Sequence, residues 1–75
     1  MNIQTAIDAI NREYKRAIKK YPSFHSNHEG YAVIKEEVDE LWDEIKKCKG
    51  IRKNEPMEKE LIQVAAMCLR FLTDL

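Results

Sequence analysis

The second third of the chain carries closely spaced carboxylates that could bind a cation. Glu37 and Glu40 are three residues apart, so on a helix their side chains rise from neighbouring positions of one face. Two such carboxylates repel unless a positive charge lies between them, and Mg²⁺ or Mn²⁺ is suitable because hard cations prefer oxygen ligands. Glu60 supplies a third carboxylate if its helix packs alongside. The alternative interpretation is an ordinary solvated helix face.

Three helices are expected to position these residues. Prolines at 22 and 56 and the glycine at 50 break the chain, because proline removes an interior helical hydrogen bond. Between the breaks, apolar residues recur at spacings of three and four, which predicts amphipathic helices over about 3–20, 29–48 and from 57 to the end. No alternating strand pattern occurs. We therefore predict an all-α fold in a single domain, 1–75.

Apolar stripes predict which face of the first two helices is buried. In the first helix the stripe is Ile3, Ile7, Ile10, Tyr14, Ile18 and Tyr21. In the second it is Tyr31, Ile34, Val38, Leu41, Ile45 and Cys48.

The third helix is apolar over most of its circumference, which predicts burial nearly all round. Two other helices of this length hardly enclose it, so we expect a short helical bundle of about three helices, completed by homo-oligomerisation. One narrow polar strip remains on this helix, which faces solvent or lines a site. Its members are Glu60, Gln63, Arg70 and Asp74, together with Met67.

The two acidic motifs together have a recognisable order. The run Glu36-Glu37-Val38-Asp39-Glu40, followed by Glu60-Leu61-Ile62-Gln63, resembles the MazG-like branch of the all-α nucleoside triphosphate pyrophosphohydrolases. The signature of that family is Glu-Glu-x-x-Glu on one helix and Glu-x-x-Asp on the next. The first half is intact, whereas the second ends in Gln63 where the family usually has Asp. The resemblance covers about residues 28–75.

The resemblance implies a metal site and a reaction. Glu37, Glu40 and Glu60 would bind Mg²⁺, with Mn²⁺ as an alternative, and Gln63 would occupy the fourth ligand position. A nucleoside triphosphate substrate would be hydrolysed to monophosphate and pyrophosphate, as in nucleotide house-cleaning, with Glu36 or Glu40 taking the proton of the attacking water. The Gln-for-Asp exchange removes one negative charge, which predicts weaker cation binding. A homodimer or dimer of dimers is implied.

A cluster of basic residues follows the second helix, and one of them, Lys53, is expected to contact phosphate. Arg70, on the third helix, is the second expected phosphate contact, because it shares the polar strip with Glu60 and Gln63. The alternative for the basic cluster is pairing with the helix C-terminus. No nucleic-acid partner is expected, because the cluster lacks interleaved aromatic residues and 13 basic residues balance 13 acidic ones.

The amino-acid composition excludes several classes of protein. With 44% hydrophobic and 35% charged residues, and only two Gly and two Pro, the chain is not collagen-like or disordered. No stretch is long enough to span a membrane and no signal peptide is recognised, so a cytoplasmic protein without a membrane partner is expected. Two further functions stay open: a non-catalytic helical interaction module, and a nucleotide- or metal-binding sensor without turnover.

Overall fold

A computed structural model describes residues 1–75 of the chain. It contains three α-helices and no strand: α1 is Ile3–Lys20, α2 is Asn27–Lys47 and α3 is Glu55–Asp74. The all-α prediction is confirmed, and α1 has the predicted bounds. Helices α2 and α3 each begin two residues earlier than expected. None of the helices combines the length and the apolar character needed to cross a membrane.

Each helix begins at a side-chain cap. An Asn or Ser oxygen accepts a hydrogen bond from a backbone N–H in the first turn, which would otherwise lack a partner. The pairs are Asn2 with Thr5 at 2.8 Å, Ser26 with Glu29 at 3.1 Å and Asn54 with Met57 at 3.0 Å. The caps define where α2 and α3 start and hence where their acidic residues lie.

Helix α3 packs against both other helices, whereas no α-carbon of α1 lies within 8 Å of one of α2. The end of α1 lies beside the last turns of α3, where the Arg70 guanidinium donates to the carbonyl of Ala17 at 3.3 Å. The arrangement leaves a groove between α1 and α2, with α3 as its floor.

The apolar core is small and lies where the three helices meet. Its buried members are Ala17, Phe24, Ala66 and Met67, and partly buried Tyr14, Val33, Ile34 and Phe71 pack against them. The rings of Phe24 and Phe71 meet edge to face with centroids 6.3 Å apart, a favourable aromatic geometry. Gly30 lets α2 approach α3 closely, since a β-carbon there would lie 2.6 Å from Cε2 of Phe71.

The buried faces differ from those the apolar stripes predict. In α3 the polar strip turns inward, with Arg70 only 2% exposed, while Leu72 is 79% exposed. The prediction that α3 is buried nearly all round is therefore wrong for the single chain, because α1 and α2 cover only part of its circumference. In α1 the buried residues are Ala9 and Ala17, whereas Ile3 of the predicted stripe is exposed. Small residues face α3 because they allow close helix packing.

Candidate metal centre and adjoining groove

The three carboxylates expected to bind a cation come together between α2 and α3. Oxygen atoms of Glu37, Glu40 and Glu60 all lie within 4.8 Å of one another. We call these three residues the carboxylate cluster. Oxygen ligands from two helices suit a hard divalent cation. The packing of α2 on α3 thus brings Glu60 next to Glu37 and Glu40, as the sequence predicts.

Glu37 lies on the face of α2 that packs against α3. Gly30, Ile34 and Leu41 on the same helix are likewise buried or partly buried, and their spacing from Glu37 is seven, three and four residues, which places them on one face. Glu40 lies further round and is exposed. The cluster therefore extends from the helix interface to the surface, where a ligand has access.

Gln63 is hydrogen-bonded to this cluster. Its side-chain amide is assigned with the nitrogen facing the carboxylates, and in that orientation it donates to Glu37 Oε2 at 2.8 Å and to Glu60 Oε2 at 3.2 Å. The opposite orientation would set the amide oxygen, which only accepts, against carboxylate oxygens. Gln63 therefore acts here as a donor that ties α3 to α2. As a cation ligand it would present its oxygen instead, in the opposite orientation of the same amide group.

Repulsion and burial alter the proton affinity of the cluster. Burial, followed by the charge of Glu40 and a hydrogen bond with it, raises the pKa of Glu37 to about 7. The pKa of Glu60 is also raised, first by burial and then by the charge of Glu40, while Lys59 opposes the shift. Near neutral pH the cluster consequently retains a proton for part of the time. A cation would replace that proton, as metal binding to carboxylates generally does.

Beside the cluster runs a groove of about 400 Å³, formed by all three helices. Its lining includes Arg16 and Tyr21 at the α1 side, Glu36 and Glu37 of α2, and Gln63 and Met67 of α3. Glu37 thus belongs to both the groove and the cluster, and Gln63, which is hydrogen-bonded to the cluster, also lines the groove. Glu36 is exposed on the groove wall and lies outside the set of three converging carboxylates.

Arg16 is a groove residue that the sequence analysis missed. Its Nη2 lies 2.6 Å from Glu13 Oε1, and its Nε donates to Glu13 Oε2 at 2.9 Å. These hydrogen bonds are the main cause of the lowered pKa of Glu13. Arg16 carried no usable signal in the sequence, because a basic residue three positions after Glu13 is typical of any solvated helix. The guanidinium is half exposed, and it can meet an anion in the groove.

Arg70 does not lie in the site, contrary to its predicted role as a phosphate contact. It is buried, and its Nη2 pairs with Asp74 at 3.0 Å. The guanidinium also donates to three backbone carbonyls, those of Ala17 at 3.3 Å, Tyr21 at 3.4 Å and Pro22 at 2.9 Å. These acceptors occupy the donors that a phosphate would need. Arg70 instead attaches the end of α1 to α3.

Lys53, the other predicted phosphate contact, also lies elsewhere. Its ammonium is 3.3 Å from a carboxylate oxygen of Glu58. It lines a separate apolar cavity with Met1, Ala6 and Leu61. The structure therefore brings together Glu37, Glu40, Glu60 and Gln63, and leaves both predicted phosphate contacts out.

Comparison of the chain with protein families, with curated proteins and with solved structures gives no match.

Proposed function

We propose that this protein is a divalent-cation-dependent nucleoside triphosphate pyrophosphohydrolase of the MazG-like kind. The observation that carries the proposal is the convergence of Glu37, Glu40 and Glu60 from two helices, with oxygens within 4.8 Å. Their order in the sequence is that of the family signature. An adjoining groove offers space for a substrate next to the same residues.

The donor set fits Mg²⁺ or Mn²⁺. All the groups that would hold the cation offer oxygen: three carboxylates and the amide of Gln63. The pKa of Glu37 is raised to about 7 by burial and then by the negative charge of Glu40, and a cation would offset that charge. When bound, such a cation neutralises phosphate charge and lowers the pKa of a bound water.

The remaining groups of the groove have distinct tasks. Arg16 exchanges part of its pairing with Glu13 for the phosphate oxygens, since guanidinium binds both kinds of anion through paired hydrogen bonds. Glu36 accepts the proton of the attacking water, because it lines the groove and is not among the converging carboxylates. Hydrolysis then yields nucleoside monophosphate and pyrophosphate.

Self-association as a homodimer or dimer of dimers belongs to the same proposal. The single chain leaves large apolar side chains uncovered on the outer faces of α2 and α3, and apolar surface of this kind is typical of subunit interfaces. They are Val38, Trp42, Ile45, Leu61, Leu72 and Leu75. Light scattering coupled to size exclusion tests this point, and a monomer at micromolar concentration would contradict it.

A panel of ribo- and deoxyribonucleoside triphosphates, incubated with Mg²⁺ or Mn²⁺, tests the reaction. We expect monophosphate and pyrophosphate in equal amounts. Glu37→Gln combined with Glu40→Gln should abolish both turnover and Mn²⁺ binding while the helical circular dichroism persists. Asp39→Asn is the matched control, because Asp39 is on the same helix but pairs with Lys35 at 3.1 Å. Unchanged turnover in the double variant would refute the proposal.

The exposed apolar surface favours a second candidate, a non-catalytic helical interaction module. Such a module would assemble or bind a partner, give no product with any nucleotide, and be insensitive to the Glu37 and Glu40 substitutions. A sensor, the third candidate, would bind Mn²⁺ or nucleotide without forming product. Isothermal titration of the wild type and the double variant distinguishes these two.

A further inference from the structure

The groove between α1 and α2 has a charged end and an apolar end. Glu37 and Gln63 join its charged end to the carboxylate cluster. Arg16 belongs to that end, because Arg16 and Gln63 together also line the neighbouring cavity between α1 and the first turns of α3. Val33 and Met67 line the other end. Val33 is four residues from Glu37 and Met67 is four residues from Gln63, a distance of about 6 Å along each helix.

Tyr21 lines the groove, and its backbone lies near the apolar end because its carbonyl is bonded to Arg70, one turn after Met67 on α3. Its N–H donates to the carbonyl of Ala17 at 2.9 Å, and its own carbonyl accepts from Arg70 at 3.4 Å. The backbone around Tyr21 is therefore held by a buried guanidinium, whereas the residue is 52% exposed. Lys20 Nζ lies 5.4 Å from the centroid of the ring. Because the backbone is already held, only the two side-chain torsions of Tyr21 are ordered when a ligand packs on the ring.

We infer that the apolar end of the groove receives the nucleobase of the substrate and that Tyr21 stacks on it. This inference rests on the proposed function. A nucleoside triphosphate has the same polarity as the groove, with a charged phosphate chain at one end and a flat aromatic ring at the other. Val33 and Met67 offer no strong hydrogen-bonding group to a base edge. Recognition is therefore by stacking, which every base permits, and the substrate class is nucleoside triphosphates with weak base discrimination.

Comparing nucleotides with inorganic tripolyphosphate, which has no base, tests the assignment. In Mg²⁺, Tyr21→Ala should raise KM for ATP, GTP, CTP and UTP about tenfold relative to KM for tripolyphosphate. Tyr21→Phe keeps the ring and should retain the wild-type ratio. Tyr31→Ala is the control, because Tyr31 is 63% exposed and does not line the groove. Thermal melts establish that each variant is folded.

Several results would overturn the inference while hydrolysis stands. One is a KM change that is equal for nucleotides and tripolyphosphate, another is no change for either, and a third is a preference of about a hundredfold for one base. Absence of hydrolysis in the wild type would instead refute the proposed function. In that case, dissociation constants of Mg-ATP and Mg-tripolyphosphate, measured by calorimetry for the same variants, are compared instead of KM values. A Tyr21-dependent difference would support the groove assignment, and no difference or no binding would overturn it.

Discussion

Gln63 on α3 donates from its side-chain amide to a carboxylate oxygen of Glu37 on α2 at 2.8 Å. This contact crosses the helix interface at the position where the proposed cation site begins. The amide thus has two uses that exclude each other, since its nitrogen stabilises the cation-free cluster and its oxygen would ligate a cation.

The isosteric change Gln63→Glu should move stability and cation affinity in opposite directions. Without cation it removes an N–H donor and adds a fourth carboxylate, so we expect a loss of about 1–2 kcal/mol in the free energy of unfolding. With the added charge, Mg²⁺ affinity should rise about tenfold. Urea melts and Mn²⁺ titration measure the two effects. Gln4→Glu is the control: Gln4 donates to Asp8 at 2.8 Å on the exposed face of α1, and a change within about 0.5 kcal/mol is expected.

Stability without cation should fall as pH rises from about 4.5 to about 7. The pKa of Glu37 is raised in the folded state, from 4.5 to about 7, so within this window the folded chain binds more protons than the unfolded chain. The free energy of unfolding then decreases with pH and levels off above the folded pKa. Allowing for solvent screening of a partly exposed group, the loss is about 1 kcal/mol.

Melts at pH 5 and pH 8 in a chelator measure this dependence. Glu37→Gln removes the titrating group and should flatten the curve. A slope that persists unchanged in Glu37→Gln would assign the pH dependence to other groups. Excess Mg²⁺ should restore stability at pH 8, because binding to the folded state alone stabilises it.

Replacing Arg70 should destabilise the fold severely rather than act on catalysis alone. Arg70→Met removes the guanidinium from Asp74 and from three carbonyls near the helix crossing. Asp74 then keeps only the Phe24 N–H, and the Ala17 carbonyl only the Tyr21 N–H. Removing one partner of a buried pair costs about 3–5 kcal/mol, which is comparable to the whole stability of a small domain. Arg52→Met, in the exposed loop before α3, should change stability by less than about 0.5 kcal/mol. Thermal denaturation compares them, and a folded, fully stable Arg70→Met would contradict the structural role.

Gly30→Ala tests the close crossing of α2 and α3. The added β-carbon would lie 2.6 Å from Cε2 of Phe71, so the ring or the helices must move, and overpacking of this kind costs about 1–3 kcal/mol. Higher helix propensity offsets about 1 kcal/mol of that loss. Gly50→Ala is the control, because its β-carbon would meet only Cys48 Sγ at 3.9 Å. Chemical denaturation should show a net loss for position 30 and none for position 50.

The sequence by itself determined the local elements. Helix propensity, the proline and glycine breaks and the Asn and Ser caps act within a few residues, and the three helices lie within two residues of their predicted bounds. The motif spacing also placed Glu37 and Glu40 on one helix and Glu60 on the next. Once these two helices packed together, the carboxylates converged as expected.

Only the tertiary structure decided which faces meet. Periodicity shows which residues share a face, but not which neighbour that face contacts. Arg70 thus shares a strip with Glu60 and Gln63, yet it is buried against the carbonyls of the α1 end because α3 crosses α1 there. Arg16 lines the groove because α1 and α2 are separated above α3. That separation is a long-range property, which no local sequence pattern encodes.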